Sequence, residues 1–322
     1  MPNRYLSLAP MMDYTDRHDR YLLRLISKKM WLFTEMITSN TMLNADPQRF
    51  LKHHQSEHPV AIQLGGSNPV DLATCTKMSE QAGFDEVNLN VGCPSDRVKS
   101  GQFGASLMAT PELVGQCVNA MQSHVRIPVT VKCRLGIDDM DEYHHLKHFV
   151  SVVADAGCEI FYIHARKAWL KGLSPKENRD IPPLNYEAVY RIKEEFPQLT
   201  IVINGGIKTL AEARQHLEHV NGSMIGREAY SNPYMLSEVD YLLYEDKSPV
   251  LSRREVLSQY LDYIDNEMAS GTSLTLMSRH VLGLFQGIPG AKAWRRHISE
   301  NAYKKGCNSQ LLLKASEFIQ SD

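Results

Sequence analysis

The chain has no Cys-x-x-Cys pair. Its six cysteines (Cys75, Cys93, Cys117, Cys133, Cys158 and Cys307) are scattered through 322 residues, which argues against a disulfide framework or a zinc site and suits a reducing compartment. No apolar stretch approaches the ~18 residues of a membrane span. The opening Met1-Pro2-Asn3-Arg4-Tyr5 lacks the apolar segment of a secretory signal. A soluble cytoplasmic protein that engages no membrane is therefore expected. The glycine fingerprint G-x-G-x-x-G is also missing from the first strand–helix turn, which counts against a doubly wound dinucleotide fold.

Net charge is small, −2, but it is unevenly spread. From Arg279 to Lys314 seven Lys/Arg face one acid, Glu300, and from Arg166 to Arg179 five face Glu177. The rest of the chain carries −12. Basic charge gathered in two segments of an acidic chain is the footprint of a polyanionic partner.

Short β-rich runs recur along the first three-quarters of the chain, each followed by a stretch of helix-forming residues. The runs are Tyr5–Ala9, Trp31–Glu35, Val60–Leu64, Glu86–Asn90, Val129–Cys133, Ile160–His164, Thr200–Asn204 and Ser223–Gly226. Apolar residues at 3.6-residue spacing predict helices over Pro69–Ala82, Pro111–His124, Asp141–Ala156, Asn185–Phe196 and Leu210–His219. Asn68-Pro69, Thr110-Pro111 and Thr209 supply start signals. Eight such units predict a (β/α)8 TIM barrel over residues 1–245. After Asp240 the pattern becomes purely helical, with amphipathic segments at Ser252–Ala269, Leu274–Phe285 and Lys292–Tyr303 broken at Gly271 and Ile288-Pro289-Gly290. A small all-helical C-terminal domain is expected over 250–322.

The run Asp85-Glu86-Val87-Asn88-Leu89-Asn90-Val91-Gly92-Cys93-Pro94-Ser95-Asp96 carries the most chemistry. Strand alternation puts Asn88 and Asn90 on one side, and Gly92 and Pro94 fix a sharp loop that holds Cys93 at the strand's end. Barrel active sites lie at the C-terminal ends of the strands. Those ends carry Pro10-Met11-Met12-Asp13, Glu35, Gln63, Asn88 with Asn90 and Cys93, Lys132 with Arg134, His164 with Arg166, Asn204-Gly205-Gly206, and Gly226-Arg227. Barrels often bind phosphate on the last two of these loops, where glycines bare the backbone and an arginine adds charge. Lys132 and His164, on adjacent strands, can reach a flat ring. A cation beside the N1–C2=O edge of an isoalloxazine stabilises its anionic reduced form, so the set fits flavin mononucleotide better than a sugar phosphate. His144, His145 and His148 have helical metal-site spacing, but no Glu or Cys completes a sphere and no metal is expected.

Taken together these stretches resemble the tRNA-dihydrouridine synthase family. The resemblance rests on Ala9-Pro10-Met11, Thr15-Asp16, Gln63-Leu64-Gly65, Asn88 to Pro94, Lys132-Cys133-Arg134, His164-Ala165-Arg166, Asn204-Gly205-Gly206-Ile207 and Gly226-Arg227. Asp13 to His18, His164 to Arg179, and Leu282 to Ala291 are similar to the bacterial A-type enzymes, which act on uridines 20 and 20a. Tyr14 stands where that type usually has tryptophan, and Cys133 where threonine is common.

The resemblance implies that NADPH, or in its place NADH, reduces bound FMN and departs. Hydride then passes from flavin N5 to uracil C6, while Cys93 donates a proton to C5. An ordinary thiol is protonated at neutral pH, as that role requires. It further implies that Pro10, Met11, Met12, Gln63, Lys132, His164, Asn204, Gly205, Gly206, Gly226 and Arg227 bind the cofactor. Asn90 would hold the uracil edge or orient the loop. Lys176, Arg179, Arg279, Arg295 and Arg296 would contact the D-loop and elbow of tRNA, bound by a monomer without an obligate protein partner. The rival functions are an FMN-barrel reductase of a free pyrimidine, resembling dihydroorotate dehydrogenase, and a non-catalytic tRNA-binding protein.

Overall fold

Eight strands, parallel throughout, form the centre of the molecule, as a computed structural model describes it over residues 3–95, 101 and 103–320. Asp96, the last residue of the cysteine run, lies outside the described residues. The strands are β1 (Leu6–Leu8), β2 (Leu32–Thr38), β3 (Val60–Gly65), β4 (Glu86–Val91), β5 (Val129–Arg134), β6 (Ile160–His164), β7 (Thr200–Asn204) and β8 (Gly222–Ile225). Their hydrogen-bonded order is β1-β8-β7-β6-β5-β4-β3-β2. The ring closes through a single bridge between Ser7 and Trp31, where Leu8 N donates to Trp31 O at 2.8 Å and Trp31 N to Leu6 O at 3.0 Å. With helices after the strands, this is the expected (β/α)8 barrel.

Strand alternation divides the side chains into two layers. Outward-facing Val87, Leu89 and Val91 of β4, Val129, Val131 and Cys133 of β5, and Ile201 and Ile203 of β7 join the large apolar layer under the helices. Inward-facing Ala9, Phe33, Ala61, Ile160, Tyr162, Val202 and Met224, together with Trp31, form a smaller apolar cluster inside the barrel. The helices begin much as their caps dictate. Asn68 accepts from the amides of Val70 and Asp71 to start Pro69–Gln81, and Thr209 makes a reciprocal capping box with Glu212 to start Leu210–His216.

The predicted helix over Leu274–Phe285 is instead a short helix, Leu274–Ser278, followed by a 3-10 turn over His280–Gly283. Arg279 and His280 both reach Asp16 in the loop after β1, at 2.6 and 3.1 Å. Two successive residues cannot aim at one carboxylate from a regular α-helix, whose neighbouring side chains diverge. Among the helices that were not anticipated are Arg17–Ile26, which follows β1, and Gln310–Ser316. The C-terminal helices Arg253–Ala269 and Ala291–Asn301 are present. Among the described residues no helix is long and apolar enough to cross a membrane.

Candidate active site

The open end of the barrel is polar because the inward positions of the strand ends are polar. Gln63 on β3, Asn90 on β4, Lys132 and Arg134 on β5, His164 on β6 and Asn204 on β7 follow one another around the rim. Beyond β4 the chain folds back over the rim. Asn90 Oδ1 accepts from the backbone amides of both Gly92 (3.1 Å) and Cys93 (3.0 Å), while Cys93 O accepts from Ala105 N at 3.0 Å. Arg134 Nε donates to Gly92 O at 2.9 Å, and its Nη1 to the carbonyls of Lys167 and Asn178, each at 2.9 Å. The Cys93 loop is therefore pinned from β4 and β5 and tied to the connection after β6. Its thiol is half-buried, 3.6 Å from Ser95 Oγ.

Positive charge is concentrated here. Lys132 Nζ donates to Asn204 Oδ1 at 3.2 Å, and Asn204 Nδ2 donates to Met224 O at 2.7 Å. Burial, with the like charge of Arg134, lowers the Lys132 ammonium to about 8, so it keeps its proton at neutral pH. His164 is held far below its ordinary value by burial and by Arg134, Lys132, Arg166 and Arg227 around it. It stands as a neutral imidazole in a ring of cations.

The loops after β7 and β8 supply bare backbone. Gly205 (φ +119°) and Gly206 (φ +73°) adopt left-handed conformations that favour glycine. A Cβ on Gly205 would come 2.7 Å from His164 Cδ2, and one on Gly206 2.6 Å from Leu184 Cδ1. Gly226 precedes the short helix Arg227–Ser231. Arg227 pairs with Asp180 at 2.7 Å, both half-exposed, and Arg166 bonds to the carbonyls of Pro182 and Asp180. The Nε of Arg166 is buried without a hydrogen-bond partner. One unspent donor, glycines and two guanidiniums at one edge, with Lys132 at the centre, fit a phosphorylated ring system that carries negative charge when reduced.

The other expected site residues fall into two groups. Pro10, Met11 and Met12 lie in the turn after β1, where Thr15 Oγ1 takes the Met11 amide (3.0 Å) and Met12 is half-exposed. The amide of Gln63 is committed to Asn88 and Asn90, and that of Asn204 to Lys132 and β8, so both brace neighbours. Lys176 and Arg179 are exposed in the connection after β6, on the same rim. Arg279 is drawn to Asp16, Arg295 to Gln286 (2.8 Å) and Arg296 to Glu300 (3.2 Å). Tyr14 packs on Tyr230, with ring centroids 4.4 Å apart. Cys133 faces the outer apolar layer, where burial pushes its thiol up to about 12.

Sequence reasoning listed Arg134 only as a strand-end polar group and overlooked Glu86, Thr130 and Tyr162. The signal was present: Glu86, Asn88 and Asn90 share the parity that places them all in the lumen.

Comparison with known proteins identifies the family. The profile of the family described as Dihydrouridine synthase (Dus) matches residues 7–320. A protein of Vibrio vulnificus named tRNA-dihydrouridine(20/20a) synthase is 58% identical over 311 residues, covering 96% of this chain and 95% of its own. The protein of that name from Shewanella oneidensis is 54% identical over 99% of this chain and 95% of its own. Its counterpart in Escherichia coli O6:H1 is 52% identical over 99% and 96%. This chain belongs to the dihydrouridine synthase family, the oxidoreductases that reduce uridine in tRNA to dihydrouridine.

Proposed function

We propose that this chain reduces the C5–C6 bond of uridines 20 and 20a in the tRNA D-loop, using NADPH through bound FMN with Cys93 as proton donor. The observation that carries the reading is the Cys93 loop, clamped by Asn90 and Arg134 over a rim of cations and bare glycine backbone. The names of the relatives support the choice of uridines. Reduced FMN, when bound, supplies the hydride for uracil C6.

The residues divide the remaining work. Cys93 gives its proton to C5 of the uracil, and Asn90 holds the loop that presents the thiol. Lys132, braced by Asn204, sets a positive charge where the flavin's N1–C2 edge would gain negative charge on reduction. His164, being neutral, offers a hydrogen-bond donor without further charge. Pro10, Met11 and Met12 line the ring, and Gln63, its amide committed to Asn88 and Asn90, braces the floor beneath it. Gly205, Gly206, Gly226 and Arg227 receive the phosphate.

Barrel residues 1–245 carry the chemistry, and 250–322 form the helical tRNA-binding domain. Arg279, Arg295 and Arg296 there, with Lys176 and Arg179 on the rim, meet tRNA phosphates. The target uridine flips out of its stack to reach the thiol.

Unmodified tRNA, the purified protein and NADPH test this directly, with dihydrouridine mapped by mass spectrometry of nuclease fragments. A gain of two hydrogens at D-loop uridines is expected. A yellow protein that oxidises NADPH without that gain would point to a free-pyrimidine reductase instead.

The Lys132 ammonium adds a pH expectation. Its depressed value means that the cation is present below about pH 8 and lost above it. Dihydrouridine formation at saturating tRNA should therefore decline as pH rises through 8. Lys132→Arg, which keeps its charge, should flatten that limb. A wild-type profile with no alkaline decline through this range would remove Lys132 from the electrostatic role.

A further inference from the structure

A single line of hydrogen bonds runs up the inside of the barrel, from its closed end to the Cys93 loop. At the bottom Arg4 Nη2 donates to Glu86 Oε2 at 2.5 Å, with Tyr162 Oη also donating to that oxygen at 3.3 Å. Thr130 Oγ1 donates to Glu86 Oε1 at 2.7 Å, and Asn88 Nδ2 donates to Thr130 Oγ1 at 2.8 Å. Gln63 Nε2 then donates to Asn88 Oδ1 (2.9 Å), and Asn90 Nδ2 to Gln63 Oε1 (2.8 Å). At the top, Asn90 Oδ1 accepts from the amides of Gly92 and Cys93. Glu86, Thr130 and Asn88 are wholly buried, Gln63 and Asn90 almost so.

We propose that Glu86, Thr130 and Asn88 are positioning residues for the Cys93 loop, because the carboxylate at the closed end dictates which way every amide above it faces. The logic is one of elimination. A carboxylate facing a guanidinium can only accept, so the Thr130 hydroxyl must spend its one proton on Glu86. That leaves Thr130 Oγ1 as the acceptor for Asn88, which turns the Asn88 oxygen toward Gln63. The Gln63 oxygen is thereby turned toward Asn90, and the Asn90 oxygen toward the loop.

A primary amide fits its space almost equally well with O and N exchanged, so shape alone does not select the orientation. Reversed, Asn90 would present N–H groups to two N–H groups, and the loop would lose its clamp. The three residues are wholly buried, with no surface open to a ligand. They act through Asn90, over a path that Leu89 and Val131, facing outward, do not share.

The proposal rests on Cys93 being the reacting thiol, so its test reads the thiol apart from turnover. The probe is iodoacetamide on the full-length protein, with alkylation of each cysteine followed by peptide mass spectrometry. Cys93 and Cys307 are the two partly exposed cysteines; Cys75, Cys117, Cys133 and Cys158 are buried. Thr130→Val removes the hydroxyl while preserving shape. It should speed Cys93 alkylation about fivefold, the factor that one net hydrogen bond is worth, with Cys307 unchanged. The kcat for dihydrouridine formation should fall by a similar factor at constant KM for tRNA.

Thr130→Ser should restore both. Asn88→Ser, which cannot span Thr130 and Gln63, asks the same question if Thr130→Val does not fold. Wild-type Cys93 alkylation in either variant, failure of Thr130→Ser to rescue, or an equal rise at Cys307 would overturn the proposal. If instead the wild-type protein makes no dihydrouridine, the proposed reaction fails, while the alkylation pattern still decides the positioning.

Discussion

Cys93→Ala is expected to cut dihydrouridine formation by about 10²–10⁴-fold, the usual range for losing a positioned general acid. Flavin content and NADPH oxidation should persist, because the thiol lies on the β4 loop whereas the glycines of β7 and β8 lie across the rim. The backbone contacts that shape the loop, from Asn90, Arg134 and Ala105, do not involve Sγ. Alanine should therefore leave the loop in place and remove only the proton. The measurement pairs product mapping on tRNA with stopped-flow NADPH oxidation of the same sample. Full product formation by the variant would dismiss Cys93 as the acid, and equal loss in both half-reactions would show that the thiol supports structure rather than chemistry.

The second large effect concerns stability. Arg4→Met is expected to lower stability by about 3–5 kcal/mol, because it strands the buried Glu86 carboxylate without its cation. Burial alone would push the Arg4 guanidinium down, yet Glu86 and Tyr162 hold it above its ordinary value, which marks a charge the fold needs. The guanidinium also sits 4.1 Å from the Trp31 ring. Thermal denaturation followed by circular dichroism should show the melting temperature falling on the order of 10 °C. Adding Glu86→Gln should recover part of the loss, since no uncompensated charge then remains inside. A single variant that melts within a degree or two of the wild type would mean that Glu86 had found another partner or taken up a proton.

The barrel was legible because its signal is redundant. The predicted span of β6 coincides with the observed Ile160–His164, and that of β7 with Thr200–Asn204. Every outward position there is apolar, and every strand end carries a polar residue or glycine. The helix Arg17–Ile26 was illegible for the opposite reason. Its buried side includes Arg20 and Arg24, which break the apolar stripe that a sequence reader looks for. They can be buried because Arg20 Nε meets Glu57 Oε2 at 2.6 Å and Arg24 donates to the carbonyls of Ser27, Met30 and Glu57. Glu57, the partner that both arginines share, is more than 30 residues away and is not visible in local pattern.

The candidate site divides on the same principle. Cys93, Lys132, His164 and the glycines follow from knowing where strands end. Asn204 and Gln63 were legible as rim residues, but their amides turn sideways to brace neighbours, which depends on strand order. The basic residues of the C-terminal helices could be found by counting charge. Whether each faces RNA or a local acid depends on packing: Arg279 is bound to Asp16 and Arg296 to Glu300.

The single bridge that closes the barrel between β1 and β2 has a consequence for how the chain can be divided. The helix Arg17–Ile26 connects those two strands and lies over their seam, and the C-terminal helices grip it. Arg17 forms a two-pronged ion pair with Glu267, His18 Nδ1 bonds to Tyr263 Oη at 2.7 Å, and Tyr260 Oη reaches His18 O at 3.2 Å. Earlier in the chain, Tyr244 Oη is bonded to both the amide and the carbonyl of Leu6. The segment that would carry tRNA is thus also the hoop that keeps the thinnest joint of the barrel from springing open. A protease cut near residue 250 should not release two free-standing halves, and evolution could not have exchanged this appendage for another without first mending the stave beneath it.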